Sequence, residues 1–198
     1  LARVLIGPLC DRYGARSTYS LLLIVGSIPV MSIGFAQSYE AFLLFRLAIG
    51  CIGAAFVVTQ YHTSTMFAPN CVGTANATTA GWGNAGGGFT QMLMPLLLAG
   101  FLLLGATEAA AWRYAMVVPG VVLLVMGVAY YLLTQDSPAG NYKILRNAGA
   151  LPTASRGSGF DSFKAAASDM RVWALFVVYA ACFGMELTIN NVAALYFH

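Results

Sequence analysis

The sequence predicts an all-α membrane protein, and three observations carry that class. Apolar residues fill 59% of the 198 positions, whereas charged residues fill only 9%. A soluble domain carries roughly 25% charged residues, so this chain has too few charges to solvate a surface. The mean hydropathy of +0.74 agrees. The third observation is arrangement. The apolar residues come in long stretches, and about 20 such residues are needed to cross a bilayer.

The elements follow in order. Residues 1–9 are too short to span a bilayer and read as the end of a helix that begins before Leu1. The chain therefore reads as a fragment of a larger protein. Residues 17–37 (STYSLLLIVGSIPVMSIGFAQ) form the first full span. Residues 39–67 form the second and carry Arg46. Residues 74–104 form the third, in which Pro95 predicts a kink. Residues 111–134 form the fourth. Residues 135–169 are polar, rich in Gly, Ser, Pro and charge, and read as a loop. Residues 171–197 form the fifth span. The expectation is one partial and five full spans, with no soluble domain.

The third span is unusual. It reads GTANATTAGWGNAGGGFTQ over 73–91, with Gly81, Gly83, Gly86, Gly87 and Gly88 crowded together. In a water-soluble helix each Gly costs about 1 kcal/mol against Ala. In lipid, small residues let neighbouring backbones approach closely. Ala77, Gly81 and Ala85 share one face, and Thr79, Gly83 and Gly87 share another. The span is expected to be a tightly packed core helix, with the Asn84 amide aimed at a partner.

Charge sets the orientation. Arg12 and Arg16 follow the first stub, and Lys143, Arg146, Arg156, Lys164 and Arg171 lie in or beside the long loop. Four spans separate these two groups, so they fall on one side. The other side has only Arg113. The positive-inside rule places residues 10–16 and 135–170 in the cytoplasm. A net charge of +3 with scattered basic residues gives no nucleic-acid surface. Cys10, Cys51, Cys71 and Cys182 show no C-x-x-C pair and no His at ligand spacing, so they read as buried thiols with no metal and no cofactor.

The segment GPLCDRYGAR has the form G-x-x-x-D-x-x-G-x-R, carried by Gly7, Asp11, Gly14 and Arg16. It lies between a helix that ends in the cytoplasm and the next span. This resembles the signature loop between the second and third helices of the major facilitator superfamily. Arg46-x-x-x-Gly50 resembles that superfamily's fourth-helix motif. The resemblance implies a partial major facilitator fold, with one partial and five full helices of an expected twelve. Residues 1–134 then run from the end of helix 2 to helix 6 of the N-terminal half. Residues 135–170 form the central loop, and residues 171–198 are helix 7, opening the C-terminal half.

The run AGWGNAGGG on the fifth helix resembles the signature of the nitrate/nitrite porter family. The flanking STMFAPNCVGTANATTAGWGNAGGGFTQMLMP, the WRYAMVVPG run from Trp112 and the CFGMELTINN run from Cys182 are similar to its eukaryotic-type high-affinity nitrate transporters. Gly81, Gly83, Gly86 and Gly87 carry the signature's helix packing. The Gly7, Asp11, Gly14 and Arg16 loop is the implied gating element.

Nitrate is a planar monoanion. A guanidinium is planar, permanently charged and forked, so it can meet two nitrate oxygens at once. Aromatic rings can sandwich the plane, and an Asn amide can donate to the remaining oxygen. Arg3 sits within the stub, where an arginine at the centre of a span costs roughly 2.5–3.5 kcal/mol and usually marks a pathway. Snorkelling to the interface is the other role open to it. The family places its second-helix substrate arginine in this L-A-R-x-x-x-G context. Tyr179, Phe183, Glu186 and Asn190 fall at i, i+4, i+7 and i+11 along one stripe of the last helix. Such a stripe is packing or a site. In the family, a Tyr and a Phe at this spacing help line the anion site, and Phe56 occupies the place of an opposing Phe on helix 4. The implied substrate set is thus Arg3, Asn84, Tyr179, Phe183 and Phe56.

Glu186 has two open roles, a proton carrier with a pKa raised by burial or a structural hydrogen bond. His62, near the cytoplasmic end of its span, reads as interfacial. No H-E-x-x-H or G-x-S-x-G motif points to an enzyme. The expected function is secondary active transport of nitrate and nitrite, by proton-coupled symport and alternating access. Nitrate/nitrite exchange and a non-transporting nitrate sensor on the same scaffold are the alternatives. The implied partners are nitrate, nitrite, protons and the lipid bilayer, most naturally the plasma membrane. Some eukaryotic members also work with a small single-span accessory protein.

Overall fold

The computed structural model of the chain describes residues 2–149 and 159–196. It divides into two compact units, Leu1–Ser155 and Arg156–His198. The first unit holds α1 (Ala2–Tyr13), α2 (Ala15–Ser32), α3 (Tyr39–Gly50), α4 (Ala55–Met66), α5 (Val72–Leu103), α6 (Glu108–Leu133) and the short α7 (Tyr142–Asn147). The second holds α8 (Gly159–Ser168) and α9 (Met170–Tyr196). Among the described residues, four stretches are long and apolar enough to cross a membrane: Ala15–Phe35, Tyr39–Met66, Val72–Leu103 and Glu108–Leu133. Each matches an expected span to within three residues at its ends. α9 forms over the fifth expected stretch and is 27 residues long.

The tightest packing joins α2 and α6, which run antiparallel. Gly120 and Gly127 lie two turns apart on α6. A Cβ at Gly127 would come within 2.9 Å of Ile24 Cγ1 and 3.1 Å of Leu23 Cβ. A Cβ at Gly120 would meet Met31 Cγ at 2.2 Å. These two glycines let the α2 backbone come close, as small residues do between helices in lipid. At the far end of the pair, Arg113 Nε donates to the Gly34 carbonyl at 2.7 Å and ties α6 to the end of α2. A smaller buried cluster of Ile6, Cys10, Ala15, Ala54 and Val58 joins α1, α2 and α4.

Several expectations change. The stub and its loop are mostly helix: α1 continues through Pro8 to Tyr13, so Gly7 and Asp11 are helical and only Gly14 breaks the path. The second span is not one uniform α-helix. A tight 3₁₀ turn, Cys51–Ala54, separates α3 from α4. α5 runs without interruption through Pro95. The expected core role of α5 is not met within this chain. A Cβ at Gly81, Gly83, Gly86, Gly87 or Gly88 would meet nothing within 4 Å, and the span has no buried residue. Small side chains permit close approach without supplying a partner. The polar stretch after α6 is not all loop, since it contains α7 and α8. Of the four free cysteines, only Cys10 is buried; Cys51, at the 3₁₀ turn, Cys71, in the turn before α5, and Cys182, on α9, are exposed.

The packing makes one expectation testable. In the complete protein, Gly127→Leu should overpack the α2–α6 contact and destabilise by about 1–3 kcal/mol, read as a lower melting temperature in detergent. Gly100→Ala, where an added Cβ meets nothing within 4 Å, should leave it unchanged. Equal melting temperatures for the two variants would rule out this helix register.

Candidate functional site

Arg3 and Phe56, far apart in sequence, come together. The Arg3 guanidinium carbon lies 5.9 Å from the centroid of the Phe56 ring. Its Nε donates to the Gly53 carbonyl at 3.2 Å. Gly53 belongs to the 3₁₀ turn, so the break between α3 and α4 supplies the acceptor that holds the guanidinium over the ring. Arg3 is exposed and Phe56 half-buried. A planar cation over an aromatic face is suited to a flat anion.

In the second unit, Tyr179 and Phe183 on α9 stack face to face, with centroids 5.7 Å apart and an interplanar angle of 8°. One turn of helix sets this spacing. The parallel rings make a flat aromatic wall. Glu186, on the same helix, is exposed. The side chain of Asn190 lies outside the described residues. Asn84 on α5 is exposed, and a Cβ on the nearby glycines would meet nothing within 4 Å.

The most ordered polar arrangement lies at the end of the first unit that carries Arg12 and Arg16. Gly14 links α1 to α2 with φ +87°, a left-handed conformation that glycine adopts without steric cost. Asp136, just past α6, packs its carboxylate against Gly14. A Cβ there would lie 2.3 Å from Asp136 Oδ1. Oδ1 accepts the Arg16 backbone N–H at 2.8 Å, in the first turn of α2. Oδ2 accepts the Tyr142 backbone N–H at 3.0 Å, at the start of α7. One carboxylate, only 3% exposed, thus satisfies orphan donors at two helix N-termini, where negative charge is favoured. The Arg16 side chain adds a bond from Nε to the Tyr131 carbonyl at 2.6 Å and stacks over the Tyr131 ring at 4.3 Å.

His62, near the end of α4, meets the end of α6. It is buried, at 9% exposure. Its Nε2 faces the Gln135 carbonyl at 2.6 Å, and its Nδ1 is hydrogen-bonded to the Tyr130 hydroxyl. A carbonyl only accepts, so Nε2 carries the proton, and in the neutral ring Nδ1 accepts from Tyr130. Tyr61 and Tyr142 share a hydroxyl–hydroxyl bond of 3.0 Å. The joint therefore links α1, α2, α4, α6 and α7. Sequence reasoning singled out Gly14 and Arg16 here but missed Asp136, Tyr142 and Tyr130. The one available signal was a lone acid, Asp136, just past a span end and followed by Ser-Pro. Asp11 is half-buried on α1, and Gly7 faces open space. Among the described residues no cluster of His, Cys, Asp or Glu could hold a metal.

The family model of the Major Facilitator Superfamily matches residues 1–198, the whole chain. The chain belongs to the major facilitator superfamily. It is 36% identical over 197 residues to a High-affinity nitrate transporter 2.3 of Oryza sativa subsp. japonica, covering 100% of this chain and 38% of that protein. It is 35% identical over 196 residues to a High affinity nitrate transporter 2.5 of Arabidopsis thaliana, covering 99% of this chain and 38% of the relative. A Nitrate/nitrite transporter NrtP of Nostoc punctiforme is 35% identical over 157 residues, 78% of this chain and 31% of its own length. The chain thus spans less than half the length of the curated relatives it matches. No solved structure matches it. In this superfamily member, the signature segment from Gly7 to Arg16 is built around the Gly14–Asp136 contact.

Removing that carboxylate should loosen the joint. Hydrogen bonds to a charged group are worth about 1.5–3 kcal/mol each. In the complete protein, Asp136→Ala should melt at a lower temperature and should open residues 138–149 to protease. Gly14→Ala should have the same effect by crowding the carboxylate and straining the backbone. Unchanged cleavage and melting in both variants would mean that Asp136 does not hold the joint.

Proposed function

We propose that the protein is a secondary active carrier of nitrate and nitrite, working by proton-coupled symport and alternating access between two six-helix halves. The single observation that carries the reading is the Arg3–Phe56 pair, in a chain that also carries the AGWGNAGGG segment. It supplies a guanidinium held beside an aromatic face, in a chain whose relatives are named nitrate transporters. Within the second unit by itself, the Tyr179–Phe183 wall offers a flat aromatic face. In this reading residues 1–134 belong to the N-terminal half and 135–170 to the central loop. Residues 171–198 open the C-terminal half. The glycine face of α5 packs on helices outside this chain, and Asn84 serves as a further donor to the anion. Residues 10–16 and 135–170 face the cytoplasm, in the plasma membrane. A single-span accessory protein is a candidate partner.

Moving one anion inward against an inside-negative potential costs about 2.3 kcal/mol per 100 mV. Symport of more than one proton per anion overcomes this cost, and Glu186 is the proposed proton carrier. Nitrate/nitrite exchange needs no such residue, and the exposure of Glu186 within its own unit favours keeping it as the second reading. The nitrate/nitrite name of the Nostoc relative fits either mechanism.

Two substitutions in the complete protein test the reading. Arg3→Lys keeps the charge but replaces a flat fork with a compact, strongly hydrated ammonium. It should nearly abolish nitrate uptake at equal surface expression. Near-normal uptake would remove Arg3 from the site and point to snorkelling. Glu186→Gln should abolish proton-driven accumulation, measured as acid-dependent nitrate currents, while nitrate still binds. Currents with unchanged pH dependence would favour exchange, or a proton path through other residues.

A further inference from the structure

The joint described above carries four cations, Arg12, Arg16, Lys143 and Arg146. Arg12, Lys143 and Arg146 are exposed, and Arg16 is half-buried. Lys143 and Arg146 are i, i+3 neighbours on one face of α7. The Arg146 guanidinium donates to the Arg12 carbonyl, which sets that face beside the end of α1. The joint holds two carboxylates. Asp136 is buried and occupied by two backbone N–H groups, and Asp11 is half-buried on α1. The exposed surface therefore keeps a positive excess.

Other residues fix the level of this surface relative to a bilayer. Tyr13 and Tyr131 are exposed, at 53% and 47%. The Arg12 guanidinium lies 5.5 Å over the Tyr13 ring, and that of Arg16 lies 4.3 Å over Tyr131. Tyrosines at the ends of spans sit at headgroup depth. Leu133, the last residue of α6, is 83% exposed, as a residue facing acyl chains would be. Ile144, between the two α7 cations in sequence, is 65% exposed. Asp136 pins the start of α7 just past α6, so α7 is held at this depth.

We propose that the surface formed by α1 and α7 binds the phosphate headgroups of anionic phospholipids in the cytoplasmic leaflet. Arg12, Lys143 and Arg146 meet the phosphates, and Ile144 enters the acyl boundary. The inference rests on the cytoplasmic orientation proposed above. Forked guanidiniums match phosphate oxygens in pairs. Basic residues just beyond a span are attracted to anionic lipid by about fivefold each.

Native mass spectrometry of the complete protein in mild detergent tests this, with phosphatidylglycerol and phosphatidylcholine as probes. The parent should retain phosphatidylglycerol in preference. Lys143→Gln with Arg146→Gln should weaken that retention by about fivefold per removed charge, with phosphatidylcholine unchanged. Lys143→Arg with Arg146→Lys keeps both charges and should retain the lipid as the parent does, which separates lost charge from lost folding. Equal phosphatidylglycerol retention by the glutamine variant and the parent would overturn the proposal. An epitope inserted after Gly149 tests the orientation separately. Detection only in permeabilised cells supports it. Detection in intact cells would overturn the orientation and the lipid site together. Cytoplasmic placement with unchanged lipid retention would sink the lipid site alone.

Discussion

The first unit depends on a buried carboxylate. Asp136 is 3% exposed, and a buried charge is costly unless hydrogen bonds satisfy it. The chain satisfies it with two helix N-termini, which bring backbone N–H groups and the positive ends of helix dipoles. The arrangement requires α2 to begin within reach of the end of α6, which only a sharp joint after α1 allows. Gly14 makes that joint, and its lack of a Cβ leaves room for the carboxylate. The angle between α1 and α2, the docking of α7 and the end of α6 all follow from one contact.

The same contact bears on the candidate site. α1 carries Arg3, and its path is set at one end by Gly14 and along its length by the cluster around Ile6 and Cys10. At the other side of that cluster, the 3₁₀ turn before α4 presents the Gly53 carbonyl and then Phe56. The cation is therefore placed by backbone geometry on two helices.

Glycine serves two purposes in this chain. On α6, Gly120 and Gly127 are in use, each filled by a neighbouring side chain of α2. On α5, a Cβ at Gly81, Gly83, Gly86, Gly87 or Gly88 would meet nothing within 4 Å among the described residues. The same residue type thus serves a close helix contact in one place and leaves an uncovered face in another.

The sequence alone determined the spans, because hydropathy is local and a bilayer imposes a length on each apolar stretch. It also determined that Tyr179 and Phe183 share a face, since i, i+4 spacing does that in any α-helix. It marked Gly14 and Arg16 by motif, and Arg3 and Phe56 by resemblance. It did not determine that Arg3 would be held by Gly53, because nothing local announces a 3₁₀ turn inside an apolar run. Nor did it determine which glycines are packed, because glycine states what can approach and not what does. Nor did it give the partners of Asp136 and His62. Their partners lie 120 residues away for Asp136, at Arg16, and 68 and 73 residues away for His62, at Tyr130 and Gln135. Contacts over such separations are created by the packing of helices, and only the tertiary structure decides them.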